Sequence, residues 1–197
     1  MDYFTFGYLF FIIGSMIYRL IRLTKSYSVE PKHGKVEAPL SYPILLCLYL
    51  LIFIISIIEY FYCRFIIQIR EINLIVSGIG VLMYVGVIPL RAIAIQFLGK
   101  HISPDVKITE DHKLIKEGPY KYLRHPLALC VIIEVLGITL IPNSYYSFLI
   151  ALFIFLPYMI FRTYLEEKAL IDKFGQEYLD YKKQVYAFLP VKKRTSK

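Results

Sequence analysis

Two polar clusters stand out in a chain that is otherwise apolar. The first runs His112-Lys113-Leu114-Ile115-Lys116-Glu117-Gly118-Pro119-Tyr120 and continues through Tyr122-Leu123-Arg124-His125-Pro126. The second is Arg162-Thr163-Tyr164-Leu165-Glu166-Glu167. An arginine can hold a carboxylate in a two-pronged fork. A glutamate accepts hydrogen bonds from hydroxyls, and a tyrosine ring attracts a cation. Each residue also has an ordinary explanation. Arg162 and Glu166 are four apart, the spacing of a plain helical ion pair. His125-Pro126 is a common helix start, and His112 could be a solvated loop histidine. Only their meeting in one place would raise chemistry above these.

The elements that must bring them together are membrane helices. Of 197 residues, 57% are hydrophobic and 19% charged, which excludes a disordered chain and sets this one apart from ordinary soluble domains. Apolar segments cover 3–18, 38–58, 72–90, 126–141 and 145–161, and the fourth carries a single charge, Glu134. A spanning helix needs about 20 apolar residues; the shorter segments gain length from snorkelling ends such as Arg19 and Arg162. The expected fold is an all-α integral membrane protein of about five helices, a single domain over 1–197. Within it, 1–98 holds three N-terminal spans and 99–190 the polar clusters, helices four and five and a C-terminal amphipathic helix. Residues 1–18 begin with Asp2 in place of a basic start and lack a small-residue cleavage pattern, so they read as a retained helix.

Basic residues number 5, 2, 7, 0 and 9 across the successive inter-span and terminal segments. The positive-inside rule then puts the N-terminus outside and loop 99–125 with the tail on the cytoplasmic face. The net charge of +8 fits cytoplasmic loops and anionic lipid better than nucleic acid. If the last hairpin turns near Asn143, facing residues have numbers summing to about 286, and Arg124 comes level with Arg162. Other features read as structure. Pro89 is expected to kink the third span. Gly78, Gly80 and Gly86 suit close helix packing. Cys47, Cys63 and Cys130 form neither a zinc pattern nor a disulfide framework and read as small buried hydrophobes. Leu170, Phe174, Tyr178, Tyr181 and Val185 share one helical face.

The run His112-x-Leu114-x5-Tyr120-x3-Arg124-His125-Pro126, followed by Arg162-x3-Glu166-Glu167 and Phe174-Gly175-x2-Tyr178-x2-Tyr181, resembles the isoprenylcysteine carboxyl methyltransferase family. It is similar, more distantly, to the membrane phospholipid methyltransferases. The resemblance covers about residues 99–190. It implies a membrane enzyme that moves a methyl group from S-adenosyl-L-methionine to the carboxylate of a lipophilic acceptor such as a C-terminal prenylated cysteine. It also implies that His112, Lys113, Leu114, Ile115, Tyr120, His125, Pro126, Leu127 and Ala128 line the cofactor pocket. Glu166, with Glu167 as the alternative, would hold the cofactor, and Arg162 would act on the acceptor. Related sequences usually continue His-Pro-x-Tyr-x-Gly, where this chain has Ala128 and Cys130.

An ionised carboxylate needs no base. A protonated amine would, and phosphatidylethanolamine N-methylation is the alternative reading. Glu134 is then the candidate base or acceptor contact. It lies eight residues past Pro126, about 12 Å deeper by helical rise, where an ionisable group is a functional candidate by default. Its plain reading is a hydrogen-bonded glutamate facing the bundle. A third reading is a non-catalytic scaffold whose basic loops bind anionic lipid.

Overall fold

Lipid offers the backbone no hydrogen-bonding partner, so apolar runs of this length become helices, which satisfy their own N–H and C=O groups. The computed structural model describes residues 3–29, 35–36, 40–69, 71–99, 107–108 and 114–190. Helix α1 covers Tyr3–Val29, α2 Ser41–Phe61, α3 Leu74–Leu98, α4 Pro126–Leu140, α5 Tyr145–Ile150, α6 Leu156–Phe174 and α7 Gln176–Gln184. A π-helical turn, Tyr62–Ile66, extends α2, and another, Ala151–Phe155, joins α5 to α6. Three continuous helices, Ser41–Ile66, Leu74–Leu98 and Tyr145–Phe174, are long and apolar enough to cross a membrane; Tyr3–Tyr18 and Pro126–Leu140 are shorter apolar helices. Lys35–Val36 pairs antiparallel with Lys107–Ile108. The chain is an all-helical integral membrane protein, as its composition indicated.

Helix α4 is the centre of the bundle. Ala128, Ile132, Val135 and Ile138 are buried along it, in one core with Tyr49 and Ile52 of α2, Tyr84 of α3, and Phe155 and Met159 from the last long helix. A side chain on Gly80 would collide with the backbone of Gly137 and Ile141, and one on Gly137 with the backbone of Gly80. The two glycines let α3 and α4 touch backbone to backbone. Gly78 and Gly86 face open space, so of the three α3 glycines only Gly80 serves the expected close packing. Pro89 sits inside α3 without ending it. Cys130 is buried, whereas Cys47 is exposed on the bundle's outer surface, contrary to the expectation that all three thiols lie inside.

The tail departs from a single amphipathic helix. Gly175, at φ +54°, breaks it into α6 and α7. The apolar stripe survives the break, because the bend folds α7 back. Tyr178, Tyr181 and Val185 are buried against Leu114, Leu170, Ile171 and Phe174, making a second, small core at one end of the bundle.

Candidate functional site

The small core fastens the loop before α4 to the chain after α7. Leu123 bridges Tyr186 in a parallel pairing. The backbone N–H groups of Arg124 and His125 donate to the carbonyls of Tyr186 and Ala187 at 3.0 and 3.1 Å. Tyr181 donates its hydroxyl to the Tyr120 carbonyl at 2.5 Å. Upstream, Gly118 takes φ +56° with the Phe97 ring of α3 so close that a Cβ would strike it. Only glycine fits both demands, and this contact locks the loop to the end of α3.

Glu167 is the hub of the cluster. Arg124 donates to its Oε1 from Nε at 2.9 Å and from Nη2 at 2.5 Å, and His125 Nε2 lies 3.3 Å from the same oxygen. Lys182 donates to Oε2 at 2.6 Å. The remaining Arg124 nitrogen donates to the carbonyls of Lys182 and Val185. Arg124, His125 and Glu167 are all buried. A buried charge is tolerated when it is paired and its hydrogen-bonding capacity is met, and Glu167 meets both conditions by tying the chain just before α4 to α6 and α7.

Glu166 differs in each respect. Its side chain is 37% exposed, with His125 Nδ1 at 3.7 Å and Arg162 Nη1 at 3.9 Å from Oε2. These are contacts of charge, too long for hydrogen bonds. Tyr120 is buried close by. Its phenol is pushed up chiefly by burial and further by the Glu166 charge. Burial also pushes the Tyr181 phenol up to about 12, and raises that of Tyr178 with the Glu167 charge adding to it. The Tyr178 hydroxyl is buried with no hydrogen-bond partner among the described residues.

The fold therefore brings Tyr120, His125, Arg162 and Glu166 to one end of the bundle. Pro126 and Ala128 are buried there in the first turn of α4, with Leu127 partly buried between them. Leu114 packs on the small core, and Ile115 is half-buried beside it in sequence. His112 and Lys113 lie outside the described residues. The register differs from the simple hairpin estimate: Arg124 meets Glu167, and His125 meets Glu166, so facing numbers sum to 291. Arg124 and His125 precede α4 in non-helical chain, which climbs up to about 3.3 Å per residue against 1.5 Å in a helix, and this covers about half of the five-residue shift. They reach higher along α6 than a helical count allows.

Glu134 is elsewhere. Deep in α4 and buried, it is ion-paired with Arg91 of α3 and accepts the Tyr49 hydroxyl of α2 at 3.4 Å. Sequence reasoning had singled out Glu134 but not Arg91, whose signal was legible as the one charge within Leu74–Leu98. Lys182 was missed too; nothing in the sequence links it to Glu167. A cavity of about 480 Å³ opens at the opposite end of the bundle, among Glu59, Cys63, Arg64, Asn73, Asn143 and Tyr146.

The architecture is that of a polytopic membrane protein with a charged cluster where a helical hairpin meets its tail. The phospholipid methyltransferase family profile matches residues 75–177, more than half of the chain, and the protein belongs to that family. The match takes in nearly all of α3 as well as the polar clusters. Protein-S-isoprenylcysteine O-methyltransferase of Saccharomyces cerevisiae is 34% identical over 102 residues, which is 51% of this chain and 43% of that protein. Its Schizosaccharomyces pombe counterpart is 31% identical over 104 residues, 52% of this chain and 44% of that protein. The chain thus spans less than half the length of these curated relatives. The solved structure of the eukaryotic intramembrane Ras methyltransferase, isoprenylcysteine carboxyl methyltransferase, aligns with a TM-score of 0.62 at 28% identity, covering 72% of this chain and 52% of that one.

Proposed function

We propose that this chain is a membrane methyltransferase that uses S-adenosyl-L-methionine to methylate the carboxylate of a lipophilic acceptor such as prenylated cysteine. One observation carries the reading. Of two adjacent glutamates at the meeting point of Tyr120, His125 and Arg162, Glu167 is consumed by structure while Glu166 stays half-exposed and loosely held. A carboxylate in that state suits the ribose hydroxyls of a nucleoside cofactor. The similarity to two isoprenylcysteine O-methyltransferases supports the acceptor class.

When bound, the cofactor supplies an electrophilic methyl group on a sulfonium. Glu166 would hold the ribose, and the Tyr120 ring would serve adenine or the cation. Arg162 would grip the acceptor carboxylate in its fork and fix the orientation of its oxygens. No proton has to be removed from an ionised carboxylate. Alignment of nucleophile and methyl contributes up to ~7–11 kcal/mol in ideal cases. His112, Lys113, Leu114, Ile115 and the turn His125 to Ala128 complete the cofactor pocket in this reading, within a methyltransferase region that we assign to 99–190. The distribution of basic residues supports a cytoplasmic site and an N-terminus outside.

The family profile itself favours a second reading, N-methylation of a phospholipid headgroup. That reaction needs a base, and the buried carboxylate available in the bundle, Glu134, is engaged by Arg91 and Tyr49. Calorimetry and product analysis separate the readings. Glu166→Ala is expected to lose S-adenosylmethionine binding, and Arg162→Ala to retain it while losing turnover. Mass spectrometry should find a methyl ester. Wild-type cofactor affinity in Glu166→Ala, or methylated amine as the product, would refute the first reading, and a wild-type protein with no saturable binding would favour a scaffold.

A further inference from the structure

Thr163 follows Arg162 and precedes Glu167 by one turn. Phe155, Met159, Thr163 and Glu167 recur every four residues, and all are buried, so they form the stripe of this helix that faces the bundle. Thr163 is 4% exposed, and its Oγ1 has no hydrogen-bond partner among the described residues. A buried hydroxyl in a helix has an easy remedy, bonding back to a carbonyl of the preceding turn. Thr139 does this to Leu136 at 2.8 Å, Ser15 to Ile12 at 2.9 Å and Ser77 to Asn73 at 3.2 Å. Thr163 does not. A buried donor without a partner is costly and calls for an explanation.

Its surroundings supply one. Four residues of helix place Thr163 about 6 Å nearer the bilayer core than Glu167. A water-borne nucleoside reaches the cluster from the aqueous side, and an acceptor with a lipid tail reaches it from the bilayer side. Arg162, next in the chain, already offers a cation to an acidic group there.

Resting on the acceptor class argued above, we propose that the Thr163 hydroxyl donates a hydrogen bond to the acceptor carboxylate, holding it beside Arg162. Thr163 is then an acceptor-binding residue that also contributes to positioning the reactive oxygen.

The test uses the full chain in nanodiscs with N-acetyl-S-farnesylcysteine as probe. Thr163→Val keeps the side-chain shape and removes only the hydroxyl. It is expected to bind the probe about tenfold more weakly, with S-adenosylmethionine affinity unchanged and Thr163→Ser restoring the probe. Without ligand, Thr163→Val should melt no lower than wild type, since the hydroxyl has no partner to lose. Equal probe binding by wild type and Thr163→Val, or a lower melting temperature in the ligand-free variant, would overturn the role of Thr163 and leave the acceptor class standing. A wild-type protein that binds S-adenosylmethionine but not the probe would overturn the acceptor class, and this role with it.

Discussion

The two ends of the bundle handle their carboxylates differently. Where α4 turns into α5, Glu59 of α2 accepts from the backbone N–H of Tyr146 and Ser147 at 3.0 and 2.8 Å and from the Ser147 hydroxyl at 2.6 Å. Asn143, at φ +61°, accepts from the Asn73 N–H at 2.8 Å and donates to the Ser77 hydroxyl at 2.8 Å. Ser144 donates to the Ser56 carbonyl at 2.9 Å. At that end the Glu59 carboxylate is held by neutral donors at a helix start, on the wall of the cavity described above. At the other end, charge meets charge: Glu167 binds one arginine and one lysine and touches a histidine, and Glu166 beside it has its nearest charged partners among the described residues at 3.7 and 3.9 Å. Glu59 caps a helix, Glu167 clamps three elements, and Glu166 retains capacity for something else. Neighbouring residues of one type can thus carry opposite roles, and burial with partner count tells them apart.

Breaking the clamp should have the largest effect. Glu167→Ala leaves Arg124 buried without its counter-charge, and losses of about 3–5 kcal/mol follow such removals. Thermal melting by circular dichroism should show this together with loss of cofactor binding, because the tail is released. Next comes the Glu59 end. Glu59→Ala removes the acceptor at the start of α5 and should cost about 1–2 kcal/mol, with cofactor affinity unchanged by calorimetry. Reduced affinity there would mean the ends are not independent. The smallest stability effects belong to loosely held groups. Glu166→Gln and Lys116→Ala should each stay within about 0.5 kcal/mol of wild type. Lys116 pairs with Glu177 at 2.7 Å, but both are exposed. What separates these two is binding: Glu166→Gln should weaken S-adenosylmethionine tenfold or more, and Lys116→Ala should not.

Much of this was legible in the letters. Uncharged runs announced the helices, since lipid leaves a backbone few other solutions. The spacing of Arg162 and Glu166 placed them on one helical face, and the tail's apolar stripe put Tyr178, Tyr181 and Val185 on another, which the structure buries. Other features were not. Gly175 looked like one residue of a continuous helix, and its positive φ, which turns α7 back onto the loop, is a backbone property. The three α3 glycines were indistinguishable until α4 was seen to touch Gly80 alone. Glu134 stood out as an isolated membrane charge, but its pairing with Arg91 depends on how α3 and α4 are set against each other.

Composition and periodicity alone determined that this is a membrane bundle, and the order of residue types pointed to where its polar groups converge. Only the tertiary structure decided which of Glu166 and Glu167 is committed and that the Thr163 hydroxyl is left without a partner. Hydropathy and helical period are properties of single segments, whereas the environment of a charge or hydroxyl is set by atoms from distant parts of the chain, and no local pattern encodes those distances.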